Sequence, residues 1–260
     1  MSMMGMTGVL IAIYFITMTV IMAFLRDKPG KDLSWIVLTV NFITFVGLNI
    51  FYFQKDGKLT FLTFDNISPF TFTFMIFIGL FKNKLAYCFK CAIAFLSVGM
   101  IIAMMITPQY AYIYSFVDEA RIDYLLDALG HMNCSLFGIY LVANGQVKLN
   151  FANFSKAVIF MYTVITGVVI TNALFHKNFF GMCPYGGYSI YMFNLFEEYW
   201  ATLIAYYLGV LAVLYLGFGF NYALNRLNRS QLAFDDAFYE KRRLKKQEVA
   251  ELKCQSPNEL

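Results

Sequence analysis

Charged residues are scarce in this sequence. Asp, Glu, Lys and Arg make up 14% of the 260 residues, whereas hydrophobic residues make up 60% and the mean hydropathy is +0.61. A soluble domain carries about 25% charged residues. The shortage of charge therefore excludes an ordinary soluble domain. It also argues against a nucleic-acid partner, because the basic residues behind the net charge of +4 lie in loops and in the C-terminal tail.

Histidine and cysteine, the residues of most metal and redox sites, are also few. The chain has two histidines and five scattered cysteines, and it lacks the spaced His and Cys sets of a zinc site and the glycine-rich loop of a phosphate site. We therefore expect no metal and no cofactor. The first seven residues contain no Lys or Arg, so we expect a retained first helix and not a cleaved signal peptide.

What the sequence does contain is apolar blocks of about 20 residues, the length of a helix that crosses about 30 Å of hydrocarbon. Helices are expected because every backbone polar group in lipid needs a partner within its own segment. The blocks predict an all-α, polytopic bundle of about seven transmembrane helices, at residues 7–25, 34–53, 60–81, 85–106, 124–142, 154–175 and 199–220. Residues 1–225 would form this bundle, and residues 226–260 a cytoplasmic, charged helical tail.

The distribution of Lys and Arg predicts the orientation, because basic residues are enriched in cytoplasmic loops. The densest group follows the last span, at Arg226, Arg229, Lys241, Arg242, Arg243, Lys245, Lys246 and Lys253. The C-terminus is therefore expected in the cytoplasm and the N-terminus outside. Abundant Phe, Ile, Lys, Asn, Tyr and Met fit an AT-rich genome, so the expected location is a bacterial cytoplasmic membrane.

Polar residues gather at the predicted outer ends of the spans. Asp127, His131 and Cys134 follow an i, i+4, i+7 pattern that places them on one face of a helix, with His131 about 10 Å inside the span. Further polar residues at this side are Asp65, Asn66, Ser68, Asn172, Asn194 and Glu197. Ionisable groups within a membrane usually face a bundle interior or an aqueous cavity. We predict an outer-side polar cavity, with Asp65, Asn66, Asn172, Asn194 and Glu197 as its substrate ligands.

Simpler interpretations remain open for several of these residues. Asp127 and Glu197 could lie at the membrane interface, and His131 could be a core histidine that only makes hydrogen bonds. The functional alternative is a nucleophile triad, since side chains at i and i+4 can touch. In that reading Asp127 orients His131, which acts as a base for Cys134 or Ser68.

Short stretches between residues 65 and 220 point to a family. They are Lys82-Asn83-Lys84, Thr107-Pro108, Leu129-Gly130-His131, Asn172 and the run Asn178-Phe179-Phe180-Gly181-Met182-Cys183-Pro184. In their order and spacing the chain resembles the YwaF-type integral membrane proteins, a seven-span bacterial family with a distant mammalian lipid-acyltransferase branch. That branch transfers an acyl chain between lipids through a cysteine and a histidine. The resemblance implies that His131 is this histidine and that Ser68 stands where the branch has its cysteine, although a hydroxyl needs more activation than a thiol.

Three functions follow from this pattern. The first is an acyltransferase-like, lipid-modifying enzyme of the outer leaflet, in which Asn172 polarises the carbonyl group. The second is a non-enzymatic binder or transporter of a lipid or small molecule, in which the same residues act as ligands. The third is a membrane assembly partner that docks through its tail. In each case membrane lipid is the expected surrounding partner.

Overall fold

The computed structural model describes residues 34–57, 70–71, 73–75, 81–106, 122–177, 179–182, 199–228 and 232–235, together with residues 13, 16, 17, 20, 244 and 247. Its helices are α1 (Ser34–Asp56), α2 (Lys84–Ile106), α3 (Ile122–Ala143), α4 (Phe151–Phe175) and α5 (Tyr199–Leu227), and a 3-10 turn at Phe179–Gly181 follows α4. This described part contains helices and turns but no strand. The prediction of an all-α chain is confirmed for it.

Three of the helices are long and apolar enough to cross a membrane. They are Ser34–Lys55 within α1, Phe151–Phe175 and Tyr199–Leu227, while Leu129–Ala143 within α3 is a shorter apolar helix. At about 1.5 Å per residue each of the three exceeds the hydrocarbon thickness of about 30 Å. The described part of the chain is therefore all-helical, with three candidate membrane spans. The predicted total of seven spans and the predicted orientation stay predictions.

The exposed surface of these helices carries large apolar side chains. Ile43 of α1, Ile159 of α4 and Ile204 of α5 are 64%, 66% and 61% exposed. Monomeric soluble proteins rarely expose continuous apolar patches of more than a few hundred Å². Side chains of this kind are suited to contact with lipid tails.

Helix α2 lies at the centre of the described bundle. It packs against α3, α4 and α5, and α1 packs against the other side of α3. Residues 91–97 of α2 are all buried, which means that every face of the helix is covered over nearly two turns. Phe89 and Phe95 contact Phe160 and Phe154 of α4, with ring centroids 5.3 and 6.1 Å apart. An all-round apolar sequence of this kind is typical of a buried helix.

Glycines allow α3 and α5 to approach the backbone of α2. A Cβ atom at Gly138 of α3 would lie 2.5 Å from the carbonyl oxygen of Ile93, and one at Gly217 of α5 would collide with the carbonyl group of Phe95. Small residues at such contacts let membrane helices pack closely where the hydrophobic effect gives no driving force. The two glycines therefore hold α3 and α5 against the same part of α2.

Hydrogen bonds join several helix ends at one end of the bundle. Lys90 Nζ of α2 donates to Gln146 Oε1, just after α3, at 3.0 Å, and Gln146 Nε2 donates to Ser34 Oγ at the start of α1, also at 3.0 Å. The starts of α1 and α2 therefore lie beside the end of α3. We call this the lysine end. The far end is the opposite one, where α2 ends and α3 begins.

The turn at residues 232–235 also packs at the lysine end. Leu149 N donates to Ala233 O at 2.8 Å, and Asn150 Nδ2 donates to Asp235 Oδ2 at 2.8 Å. Ala233 and Phe234 are buried. This part of the predicted helical tail is therefore a turn, because its backbone pairs with the connection between α3 and α4. Residues 244 and 247 are helical, and the rest of the tail lies outside the described residues.

Candidate functional site

The structure describes three of the predicted site side chains, those of His131, Cys134 and Asn172. Asp127 lies within α3, but its side chain is outside the described part. The other five predicted residues lie entirely outside the described part: Ser68, Asp65, Asn66, Asn194 and Glu197. The predicted outer-side cavity can therefore be assessed only from α3 and α4.

His131 is buried within the protein, with 3% of its surface exposed. It lies about 13 Å along α3 from Ile122, by the helical rise of about 1.5 Å per residue. Ser135 Oγ donates to Ser97 O of α2 at 2.6 Å, and Gly138 also contacts α2. Since His131 precedes these residues by four and seven positions, it shares their face of α3. The imidazole is thus on the α2-facing side, one turn farther from the lysine end than Ser135.

Cys134 is enclosed in the core beside this face, with 1% of its surface exposed. Its spacing of three residues from His131 puts the two on neighbouring positions of α3. A lipid carbonyl cannot reach an enclosed thiol without opening the bundle. Cys134 thus packs as a small hydrophobic residue in this structure. Cys88 and Cys91, the predicted apolar pair of α2, are likewise free thiols.

Asn172 has a structural task that the sequence did not indicate. Its Nδ2 donates to Phe179 O at 2.9 Å, and Phe179 N donates to its Oδ1 at 2.9 Å. The side chain is fully buried. The amide therefore ties the end of α4 to the following 3-10 turn. Asn172 is also predicted to polarise a substrate carbonyl. For that role its Nδ2 group would have to release Phe179 O or donate to both carbonyl oxygens.

Two buried asparagines on α5 were missed by sequence reasoning. Asn221 Nδ2 donates to Ala94 O of α2 at 3.1 Å and to Gly217 O at 2.9 Å, and Asn225 Nδ2 donates to Asn221 O at 2.8 Å. Both residues are fully buried, and their Oδ1 atoms have no partner among the described residues. The available signal was the spacing of Gly217, Asn221 and Asn225 by four residues. Such a stripe of small and polar residues is typical of contacts between membrane helices.

A further polar contact joins α3 to α1. Asn133 Nδ2 donates to Val37 O at 3.1 Å, from the side of α3 that faces away from α2. Asn133 is nearly as buried as His131 and only two residues away. Asn133 is therefore a suitable control residue for His131, because it is similarly buried but contacts α1.

The described residues line an open, apolar cavity of about 730 Å³. Phe70, Phe74 and Phe81, the first part of α2 and one face of α4 line it, and its polar members are Asn83, Lys156 and Thr163. Lys156 Nζ donates to Asn153 Oδ1 at 3.0 Å and lies 4.9 Å from the centre of the Tyr87 ring. This cavity begins at the lysine end, whereas the predicted polar cavity belongs to the far end. Within the described part, no group of three or more His, Cys, Asp or Glu side chains could hold a metal ion.

No protein-family model matches this chain, and no curated protein and no solved structure matches it either. The resemblance to the YwaF-type family therefore rests on the short sequence stretches alone and stays a prediction.

Proposed function

We propose that this chain is a seven-span protein of the cell membrane, with its lysine end in the cytoplasm, that transfers acyl chains between lipids of the outer leaflet. His131 is the general base of this reaction. The observation that carries the proposal is the position of His131, which is 3% exposed and faces α2 in the half of the bundle away from the lysine end. An ionisable residue at such depth in a membrane helix is usually functional.

The directions of the described helices support seven spans. Both α1 and α2 begin at the lysine end, so the chain must cross back between residues 57 and 83. The predicted span 60–81 supplies this crossing, and residues 70, 71 and 73–75 within it are helical. Residues 13, 16, 17 and 20, within the predicted first span, are also helical.

The charge at the lysine end supports the proposed orientation. Basic residues at or beside this end are Lys82, Lys84, Lys90, Lys148, Lys156 and Arg226. The positive-inside rule assigns such an end to the cytoplasm. His131 then faces the outer half of the membrane.

The proposed reaction has two steps. His131 takes the proton of the Ser68 hydroxyl, whose oxygen forms a bond to the ester carbonyl carbon of a donor lipid. The ester bond breaks, and the leaving alcohol receives the proton from the imidazolium. A hydroxyl group of a second lipid then takes the acyl chain by the same steps in reverse. Ser68 is preferred over Cys134 as the nucleophile because the resemblance places Ser68 where the acyltransferase branch has its cysteine.

The second candidate is a lipid binder or transporter without chemistry. It is favoured by the roles of Cys134, which is enclosed, and of Asn172, whose amide binds Phe179. In that case His131 is a hydrogen-bond donor or acceptor for the ligand. The tail as the docking element of an assembly partner has less support, since residues 232–235 pack against the bundle itself.

The test compares His131→Gln with Asn133→Ala in purified protein supplied with an isotope-labelled phospholipid and an unlabelled lysophospholipid. Mass spectrometry measures acyl transfer. His131→Gln should lower the rate about 100-fold or more, because an amide cannot take up a proton. Asn133→Ala should keep the rate within a few-fold, because it removes only the contact to Val37.

Acyl transfer at the normal rate by folded His131→Gln would overturn the proposal. Lipid retained by the wild-type protein without any acyl transfer would favour the second candidate.

A further inference from the structure

One face of α4 forms a wall of the apolar cavity. Lys156, Ile159, Phe160, Thr163 and Val164 line it. Their spacing of i, i+3, i+4, i+7 and i+8 makes a single stripe about 12 Å long by the helical rise. Thr163 Oγ1 donates to Ile159 O at 2.8 Å, so its hydroxyl proton is used within the helix. The stripe is therefore apolar along its length and basic at the lysine end.

The opposite walls are apolar as well. They are formed by Leu85 and Cys88 of α2 and by the rings of Phe70 and Phe74, whose centroids are 4.5 Å apart and whose planes are tilted by 37°. Such walls offer no hydrogen bonds to a peptide backbone or a sugar, and burying those groups unpaired is costly. A hydrocarbon chain has no such cost.

The apolar cavity, which we call the groove from here on, is positively charged at the lysine end. The hydrogen bond to Asn153 uses one of the three N–H donors of Lys156. Asn83, also in the lining, accepts from Ala86 N at 2.8 Å and so caps the first turn of α2, whose amide groups carry partial positive charge. Lys82 and Lys84 flank the cap and are exposed. The groove thus combines apolar walls with a cationic mouth.

We propose that this groove binds an acyl chain of an anionic glycerophospholipid, whose headgroup phosphate lies on Lys156. A chain that enters from the bilayer exchanges one apolar environment for another, so the walls alone give little preference. Selection comes from charge at the mouth, where one basic residue near the membrane surface gives about a fivefold preference. This site lies in the leaflet at the lysine end and is separate from His131.

The test uses the full chain in a mild detergent with equal amounts of phosphatidylglycerol and phosphatidylcholine that carry the same acyl chains. Native mass spectrometry measures the bound fraction of each. The wild-type protein should bind phosphatidylglycerol about fivefold more tightly. Lys156→Met should remove this preference, Lys156→Arg should keep it, and Lys177→Met, at the far end, should also keep it.

A second variant tests the groove without touching its charge. Ile159 is 66% exposed, so Ile159→Trp should fold normally while it fills the groove and lowers the binding of both lipids. A melting curve in detergent checks that each variant is folded. Asn133→Ala, which lies outside the lining of the groove, should bind both lipids as the wild type does.

Four results would overturn the proposal. The first three are equal binding of the two lipids by the wild-type protein, equal loss of preference in Lys156→Met and Lys177→Met, and unchanged binding in Ile159→Trp. Binding of an added free fatty acid but not of phosphatidylglycerol would also overturn it.

Discussion

The lysine end and the far end of the bundle are built differently. At the lysine end a short connection, residues 144–150, joins α3 to α4, and hydrogen bonds attach it to α1, α2 and the turn at 232–235. At the far end more residues, 107–121 and 176–198, separate the described helices along the chain. Long connections often carry binding and catalytic residues on a scaffold fixed elsewhere. The comparison indicates that the lysine end supports the fold, and the site of the proposed function lies toward the far end.

The polar side chains at the two ends of the bundle also make different kinds of contact. Lysine-end side chains such as Lys148 and Gln146 bind backbone carbonyls or other side chains of neighbouring segments. At the far end Asn172 also has a structural task, but His131 lies inside the bundle on a helix that Ser135 and Gly138 already fix to α2. Ser135 and Gly138 thus help to fix the position of α3 beside His131.

The largest effect on stability is expected where α5 meets α2, since this contact connects the two ends. Gly217→Ala should destabilise the protein by about 3 kcal/mol, because the new Cβ atom collides with the Phe95 backbone and overpacking has costs of this size. Gly219→Ala is the matched control. A Cβ atom at Gly219 meets nothing within 4 Å, and the change should stabilise α5 by up to about 1 kcal/mol.

Thermal melting in detergent measures both glycine variants. Equal melting temperatures for Gly217→Ala and Gly219→Ala would contradict the close approach of α5 to α2. If amide exchange in Gly217→Ala rose only at the lysine end, the two ends would not be coupled through α2.

A smaller effect is expected when the turn at 232–235 is detached. Lys148 Nζ donates to Leu232 O at 2.7 Å and to Phe234 O at 3.2 Å. Lys148→Met should lower the free energy of unfolding by about 1.5–3 kcal/mol, since hydrogen bonds to charged groups contribute this much. Amide exchange of residues 232–235 should rise about tenfold, while exchange in α3 near His131 should not change.

Lys82→Met serves as the control for this variant, because Lys82 is an exposed residue of the same end. Unchanged amide exchange at 232–235 in Lys148→Met would show that Lys148 does not hold this turn against the bundle. A rise in both variants would instead point to a general effect of charge.

Hydropathy predicted the described helices well. The start of α5 is as predicted, and α2 begins within one residue of the prediction. The helices extend beyond the predicted spans where polar residues serve the structure. Asn150 accepts from Asn153 N at 2.8 Å and caps α4 three residues before the predicted start, and Asn221 continues α5 because it bonds to α2.

The site was harder to predict, because spacing along one helix gives a face but not its neighbours. The i, i+4, i+7 pattern grouped His131 with Cys134, yet only the packing of α3 shows that Cys134 is enclosed. The pairing of Asn172 with Phe179 depends on the turn after α4, which hydropathy does not encode. Asn221 and Asn225 were overlooked because polar residues near a span end are usually interfacial.

The central claim, that the lysine end is cytoplasmic and the far end faces outward, is tested most directly by thiol labelling in intact cells. Lys82 and Lys177 are exposed lysines of the lysine end and the far end. In a background without the five native cysteines, Lys177→Cys should react with a membrane-impermeant thiol reagent added outside. Lys82→Cys should react only after the membrane is permeabilised. The reverse pattern, labelling of Lys82→Cys but not of Lys177→Cys in intact cells, would contradict the account.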